Sequence, residues 1–179
     1  MSKTTLRKAI KDFEAPELRE LLIDVYTKSK EARELLDFFA EPDIEKKAET
    51  YRAQLTKEAT RFTRHAHHPR ITKLRAAIKR FQTFEPGSEA VSDLMVHTSV
   101  ELISLGRDGW LRERLYVQIQ KFIAETLDYL LLNNLLDDFL PRLRRADGQL
   151  ERIGAFGNPM KRITESEINR IETLRDEVK

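Results

Sequence analysis

Cysteine is absent from the 179 residues, which rules out disulfides, thiolate zinc sites and cysteine nucleophiles. Long apolar runs are absent as well. The longest, Tyr129 to Leu132, is four residues, whereas a bilayer-crossing helix needs roughly 20. Lys3, Arg7, Lys8 and Lys11 put charge throughout the first dozen positions, leaving no apolar segment of the signal-peptide kind. These absences point to a cytoplasmic protein without a membrane span. Catalytic signatures are missing too: there is no Gly-rich phosphate loop, Gly-x-Ser-x-Gly elbow or His-Glu-x-x-His. The Glu-x-x-His pairs of di-iron helical bundles are likewise absent. No cofactor is implied, and an enzyme ranks below a binding module.

What is present is a balance of 40% apolar and 35% charged residues, enough to build a core and too polar for a membrane protein. Apolar residues recur at helical spacing nearly everywhere, so strands are not needed. Leu6, Ala9, Ile10 and Phe13 suggest a short first helix. A second opens at Pro16 with Leu18, Leu21, Leu22, Val25 and Tyr26 inward, and a third begins near Ser29 with Ala32, Leu35, Leu36 and Phe39 inward. Pro42 ends it. Ile44, Ala48, Tyr51, Leu55, Ala59 and Phe62 then step by four or three along a fourth helix.

His65 to Pro69 is a connector, and Ile71, Leu74, Ile78 and Phe81 share one side of a fifth helix over 70–84. Ser88 is an expected N-cap for the sixth, which runs to about Leu105. After a turn at 106–109, Trp110 anchors a seventh with Leu115, Ile119, Phe122, Ile123, Thr126, Leu130 and Leu131 buried. Asn133-Asn134 interrupts it before Leu136, Phe139 and Leu140, and Pro141 marks a kink or stop.

The expected fold is therefore all-α: a single domain of about seven or eight helices, arranged as an antiparallel bundle or a short array of helical hairpins. Residues 1–145 form the helical core domain, 146–162 a Gly/Pro-containing loop, and 163–179 a C-terminal amphipathic tail helix whose Thr164 and Glu167 have capping-box spacing. The core is expected to include Leu22, Leu36, Tyr51, Leu55, Leu74, Ile78, Leu94, Ile119, Phe122, Leu130 and Phe139. The tail's stripe of Ile168, Ile171, Leu174 and Val178 must pack on its own domain or on a second copy, because a lone helix of this length is marginal in water. The loop's reach favours the homodimer.

The order of several short motifs carries a resemblance. Ser2-Lys3 to Leu6-Arg7-Lys8 is followed by Leu22-Ile23-Asp24-Val25-Tyr26, Asp37-Phe38-Phe39 and Pro42. Then come Lys57-Glu58, Asp93-Leu94-Met95 and Leu135-Leu136-Asp137-Asp138-Phe139. Over roughly residues 2–158 the chain resembles an uncharacterised bacterial all-helical family, a domain of unknown function. The resemblance implies one helical domain and no activity, substrate or catalytic residue; the tail helix lies outside it.

Three clusters are candidate chemistry. Arg61, Arg64, Arg70, Lys73, Arg75, Lys79 and Arg80 carry +7 without an acid between them; the whole chain is +2, so the remainder is −5. On the fifth helix Lys73, Lys79 and Arg80 fall opposite the apolar side with Arg75 on the flank, which makes a ridge for phosphate or an acidic partner, or simply a solvated face. His65, His67 and His68 offer imidazole ligands for a transition metal, or else a His-rich connector. Asp93, His97 and Glu101 are spaced i, i+4 on the sixth helix and form one polar stripe. Two flanking carboxylates would raise the histidine's pKa and make it a proton carrier or a shared metal site; the plain alternative is a hydrogen-bonded edge of a half-buried helix. The leading functional reading is a non-enzymatic protein-interaction or scaffold module with a protein partner. The alternative is a protein that associates non-specifically with nucleic acid through segment 61–80.

Overall fold

A computed structural model describes residues 2–107, 111–150 and 157–178, with the backbone alone at Val178. Among them are nine α-helices, α1 Lys3–Ala9, α2 Ala15–Lys28, α3 Lys30–Ala40, α4 Ile44–Ala59, α5 Ile71–Gln82, α6 Ser88–Ser104, α7 Glu113–Leu132, α8 Leu136–Gly148 and α9 Pro159–Val178. The all-α class holds. The chain divides into two compact units, Met1–Asp43 and Ile44–Lys179. Trp110 lies outside the described residues.

In the first unit α2 and α3 pack against each other as a hairpin. Pro16 stands in the first turn of α2, where its missing N–H costs nothing. Ser29 ends α2 and caps α3, its hydroxyl accepting from the Ala32 N–H. Tyr26 donates to Asp37 (2.8 Å) and Arg33 to the Tyr26 and Thr27 carbonyls, locking the turn.

The second unit is organised around α6, which packs on α4, α5, α7, α8 and α9. Its buried residues, Val91, Ser92, Leu94, Met95, Val96, Thr98, Ser99, Leu102 and Ile103, cover most of its circumference, as a central helix requires. The two buried hydroxyls of Ser99 and Thr126 share a 3.0 Å hydrogen bond across the α6–α7 contact, so neither loses its partner on leaving water. Tyr51 of α4 meets the ring of Phe81 of α5 at a tilt of 51° and that of Phe84, just beyond α5, edge-on.

Several local expectations fail for identifiable reasons. Phe62 is not on α4: it opens a two-residue strand, Phe62–Thr63, paired antiparallel with Ala66–His67, and is 58% exposed. Arg64 takes a positive φ of 55° in that hairpin. Ser88 is the first residue of α6 and Gly87, at φ 86°, is the N-cap, because only glycine reaches that conformation without strain. Pro141 neither stops nor splits α8. It is exposed, so the Asp137 carbonyl it leaves unserved is on the solvent side, while Leu140 and Leu143 hold the opposite face in the core.

The expected loop 146–162 is shorter, since α8 continues to Gly148 and α9 begins at Pro159. Asn158 supplies the cap, its carboxamide oxygen accepting from the Met160 N–H (3.0 Å) with Pro159 as first helical residue. Thr164 and Glu167 are thus no capping box. Thr164 is buried and donates to the Met160 carbonyl, and Glu167 accepts from Gln120 and Arg170. α9 lies along α7 with Met160, Ile168 and Ile171 buried, so a dimer through that stripe would have to displace existing packing. Eight of the expected core residues are buried; Leu22 is 52% exposed, and Leu36 and Phe139 are half-buried.

Candidate functional site

The polar stripe of α6 faces the seam with its neighbours. Asp93 receives Arg52 from α4 and Arg142 from α8, one guanidinium on each carboxylate oxygen at 2.5 Å. One turn on, His97 Nε2 shares a 2.7 Å hydrogen bond with the Thr56 hydroxyl of α4. Asp93 therefore ties three helices together, and His97 ties two.

Burial pushes the Asp93 carboxyl up, but the hydrogen bonds and charges of Arg142 and Arg52 outweigh it, so the pKa falls below the usual 3.8. His97 moves opposite to the sequence expectation. Burial lowers its pKa beneath 6.5; Glu101 and Asp93 oppose this, while Arg52 and Arg142 reinforce it. Asp93, engaged by two arginines, favours the charged imidazole less than burial disfavours it. The shift thus runs against the raised pKa that the two flanking carboxylates were expected to give.

That ring separates two depressions. On the α4 side a shallow groove of about 570 Å³ is lined by Glu49, Arg52, Ala53, Thr56, Lys57 and His97. On the α8 side a smaller one of about 190 Å³ is lined by His97, Val100, Arg142, Arg145, Ala146 and Gln149. Sequence reading found the α6 stripe but not Arg52, Arg142 or Arg145. These come from helices 41 and 49 residues away in the Arg52–Asp93 and Arg142–Asp93 pairs, and helical spacing carries no such long-range information.

The seven cations of segment 61–80 do not form one open ridge. Arg75 makes a two-pronged bond to Glu125 of α7, 2.8 Å on each arm, and lies over the Phe122 ring. Arg70 is 3.7 Å from Glu58. Lys73 and Lys79 are exposed on α5, Arg80 is half-buried, and Arg61 and Arg64 belong to the hairpin. Acids distant in sequence thus cancel part of the +7. Of the histidines, His65 and His68 are exposed and His67 stacks edge-on against Phe62 at 5.1 Å. Among the described residues no three His, Asp or Glu side chains are grouped to hold a metal ion.

The first unit presents a surface that the sequence pattern treated as core. None of residues 2–43 is buried, and Leu6, Phe13, Leu21, Leu22, Ile23, Val25, Leu35 and Phe39 are exposed, Phe39 at 84%. A groove of about 660 Å³ brings Phe13, Leu21 and Ile23 together with Glu17, Glu20 and Asp24, with Arg19 the single cation. A signal existed in the adjacent pairs Ile23 beside Leu22 and Phe39 beside Phe38: neighbours sit 100° apart on a helix, too wide for one narrow stripe.

No helix among the described residues is long and apolar enough to cross a membrane. Comparison with curated proteins and with solved structures found no match. The model of a family of unknown function, DUF6155, matches residues 1–156, which span α1 to α8, and the chain belongs to that family.

Proposed function

We propose that the protein is a non-enzymatic interaction module whose docking element is the α2–α3 hairpin, and that its occupant is an amphipathic helix of another protein with Lys or Arg flanking its apolar stripe. The observation that carries this reading is the absence of any buried side chain in residues 2–43. A unit of that size gains too little from burial to offset the entropy of ordering its chain, and covering its apolar face supplies what is missing. A third helix laid on a two-helix hairpin is the economical way to cover it. Charge selects the helix: the unit has ten acidic against eight basic residues, and its groove carries three carboxylates to one guanidinium.

The test is a photo-reactive phenylalanine analogue placed at Phe39, and separately at Leu22, in the full chain within its native host. The expected adduct, mapped by mass spectrometry, is a segment of another protein with apolar residues at helical spacing and basic flanks. Adducts confined to residues 44–179 of the same chain, or to a second copy, overturn the assignment.

The nucleic-acid reading has its own support in exposed Lys73 and Lys79 and in Arg61 and Arg64 of the hairpin, for which no carboxylate partner is described. Four phosphate contacts would make log affinity fall by about 3.6 per log unit of salt, roughly 0.9 for each. A folded protein that leaves duplex DNA unbound at roughly 50 mM salt removes this reading.

A further inference from the structure

Ala146 is buried where α8 crosses α6, and beside its small side chain lies the depression of about 190 Å³. Its polar lining consists of His97 from α6 and Arg142, Arg145 and Gln149 from α8, with no carboxylate. Asp93 engages only one nitrogen of Arg142, Nη1. Arg145 is exposed and has no carboxylate partner among the described residues. Gln149 accepts from Arg107 through its oxygen, which leaves its amide N–H groups as unused donors. His97 meets Thr56 through Nε2, so its other ring nitrogen remains.

We propose that this depression is a binding site for a phosphate dianion, either inorganic phosphate or the head of a small phosphomonoester. Two guanidiniums, an amide and an imidazole line it, and no carboxylate does, although Asp93 holds Arg142 and Glu101 acts on His97 from outside the lining; such a lining is matched by a ligand that only accepts hydrogen bonds. Size narrows the class, since the volume is below the roughly 300 Å³ at which pockets for larger ligands begin; a nucleotide base has no place in it. The proposal uses none of the residues of the α2–α3 hairpin, so the two stand or fall separately.

The experiment is calorimetric titration of the full chain with sodium phosphate, and with glycerol phosphate, at constant ionic strength set by chloride. Binding is expected to saturate with a Kd of about 1 mM or tighter, and the His97 ring nitrogen resonances move with the same midpoint. Arg145→Gln weakens binding at least tenfold without altering the fold, because that side chain is exposed. Lys79→Gln on α5 leaves it unchanged. Glycerol phosphate binding more tightly identifies an organic monoester as the ligand, whereas inorganic phosphate binding more tightly identifies the free ion. Heats that fail to saturate in this range, or affinity retained in Arg145→Gln, overturn the site. In the latter case Arg145 serves only the C-terminal end of α8, where a cation is favoured in any event.

Discussion

Replacing Gly106 by alanine interrogates the junction on which α9 is seated. An added β-carbon would stand 2.6 Å from Met160 Cβ, 2.9 Å from its Cγ and 3.2 Å from Leu150 Cδ2, inside the roughly 3.5–4.0 Å of comfortable carbon contact. No rotamer of Met160 relieves the shortest contact, because Cβ is fixed to the α9 backbone. The first turn of α9 must therefore retreat, and with it Asn158, which donates to the Gly106 carbonyl at 2.9 Å. Overpacking of this kind costs about 1–3 kcal/mol and a weakened buried hydrogen bond adds about 1 kcal/mol. Alanine returns about 0.4–1 kcal/mol by restricting the unfolded chain. The net destabilisation is about 1–3 kcal/mol by these magnitudes. At about 2–4 °C per kcal/mol for a chain of this length, the melting temperature should fall by several degrees. Urea denaturation followed by circular dichroism measures it, with Met160→Gly as the second arm of a cycle, since only glycine there removes the offending carbon. The two changes should couple by about 0.5–3 kcal/mol. A Gly106→Ala protein at least as stable as the native one, or strict additivity with Met160→Gly, would refute the close approach of α9 to the 105–107 turn.

Leu55→Ala and Phe122→Ala empty fully packed sites and should each cost about 2–5 kcal/mol in the same assay; a loss below about 1 kcal/mol at both means the inward faces are misassigned. Leu22→Ser and Phe39→Ser, by contrast, should change the stability of the isolated protein by no more than about 0.5 kcal/mol while abolishing the cross-linked partner. His97 has a folded pKa below 6.5, so its contribution is intact above that pH and is lost as pH falls from 6.5 through the folded value. Stability measured across that window should decline in the native protein and flatten in His97→Gln. Asp93, with its pKa below 3.8, contributes stability that is present above 3.8 and disappears as pH falls through the lower folded value. Asp93→Asn should remove that acid-limb slope and destabilise at neutral pH, where two arginines lose their carboxylate.

Sequence by itself determined what depends on near neighbours. Helical periodicity located most of the elements, Ser29 and Pro16 marked their own helix boundaries, and the inward faces of α4, α5 and α7 were legible at Tyr51, Leu55, Leu74, Ile78, Ile119 and Phe122 because burial repeats with the helical turn. Charge was legible as a composition of segment 61–80 but not as an electrostatic surface, since Glu125 and Glu58 reach Arg75 and Arg70 only after folding. The stripe Asp93-His97-Glu101 was likewise visible, yet the direction in which the His97 pKa moves was set chiefly by burial of the ring on folding, which local spacing does not record. Only the tertiary structure decided which amphipathic faces find a partner within the chain. The stripe of α9 meets α7 and is buried, whereas Leu21, Leu22, Val25, Leu35 and Phe39 of α2 and α3 are exposed. An apolar face reads the same in sequence whether it is covered by its own chain or left for another, because periodicity records that a face exists and contacts alone record what covers it.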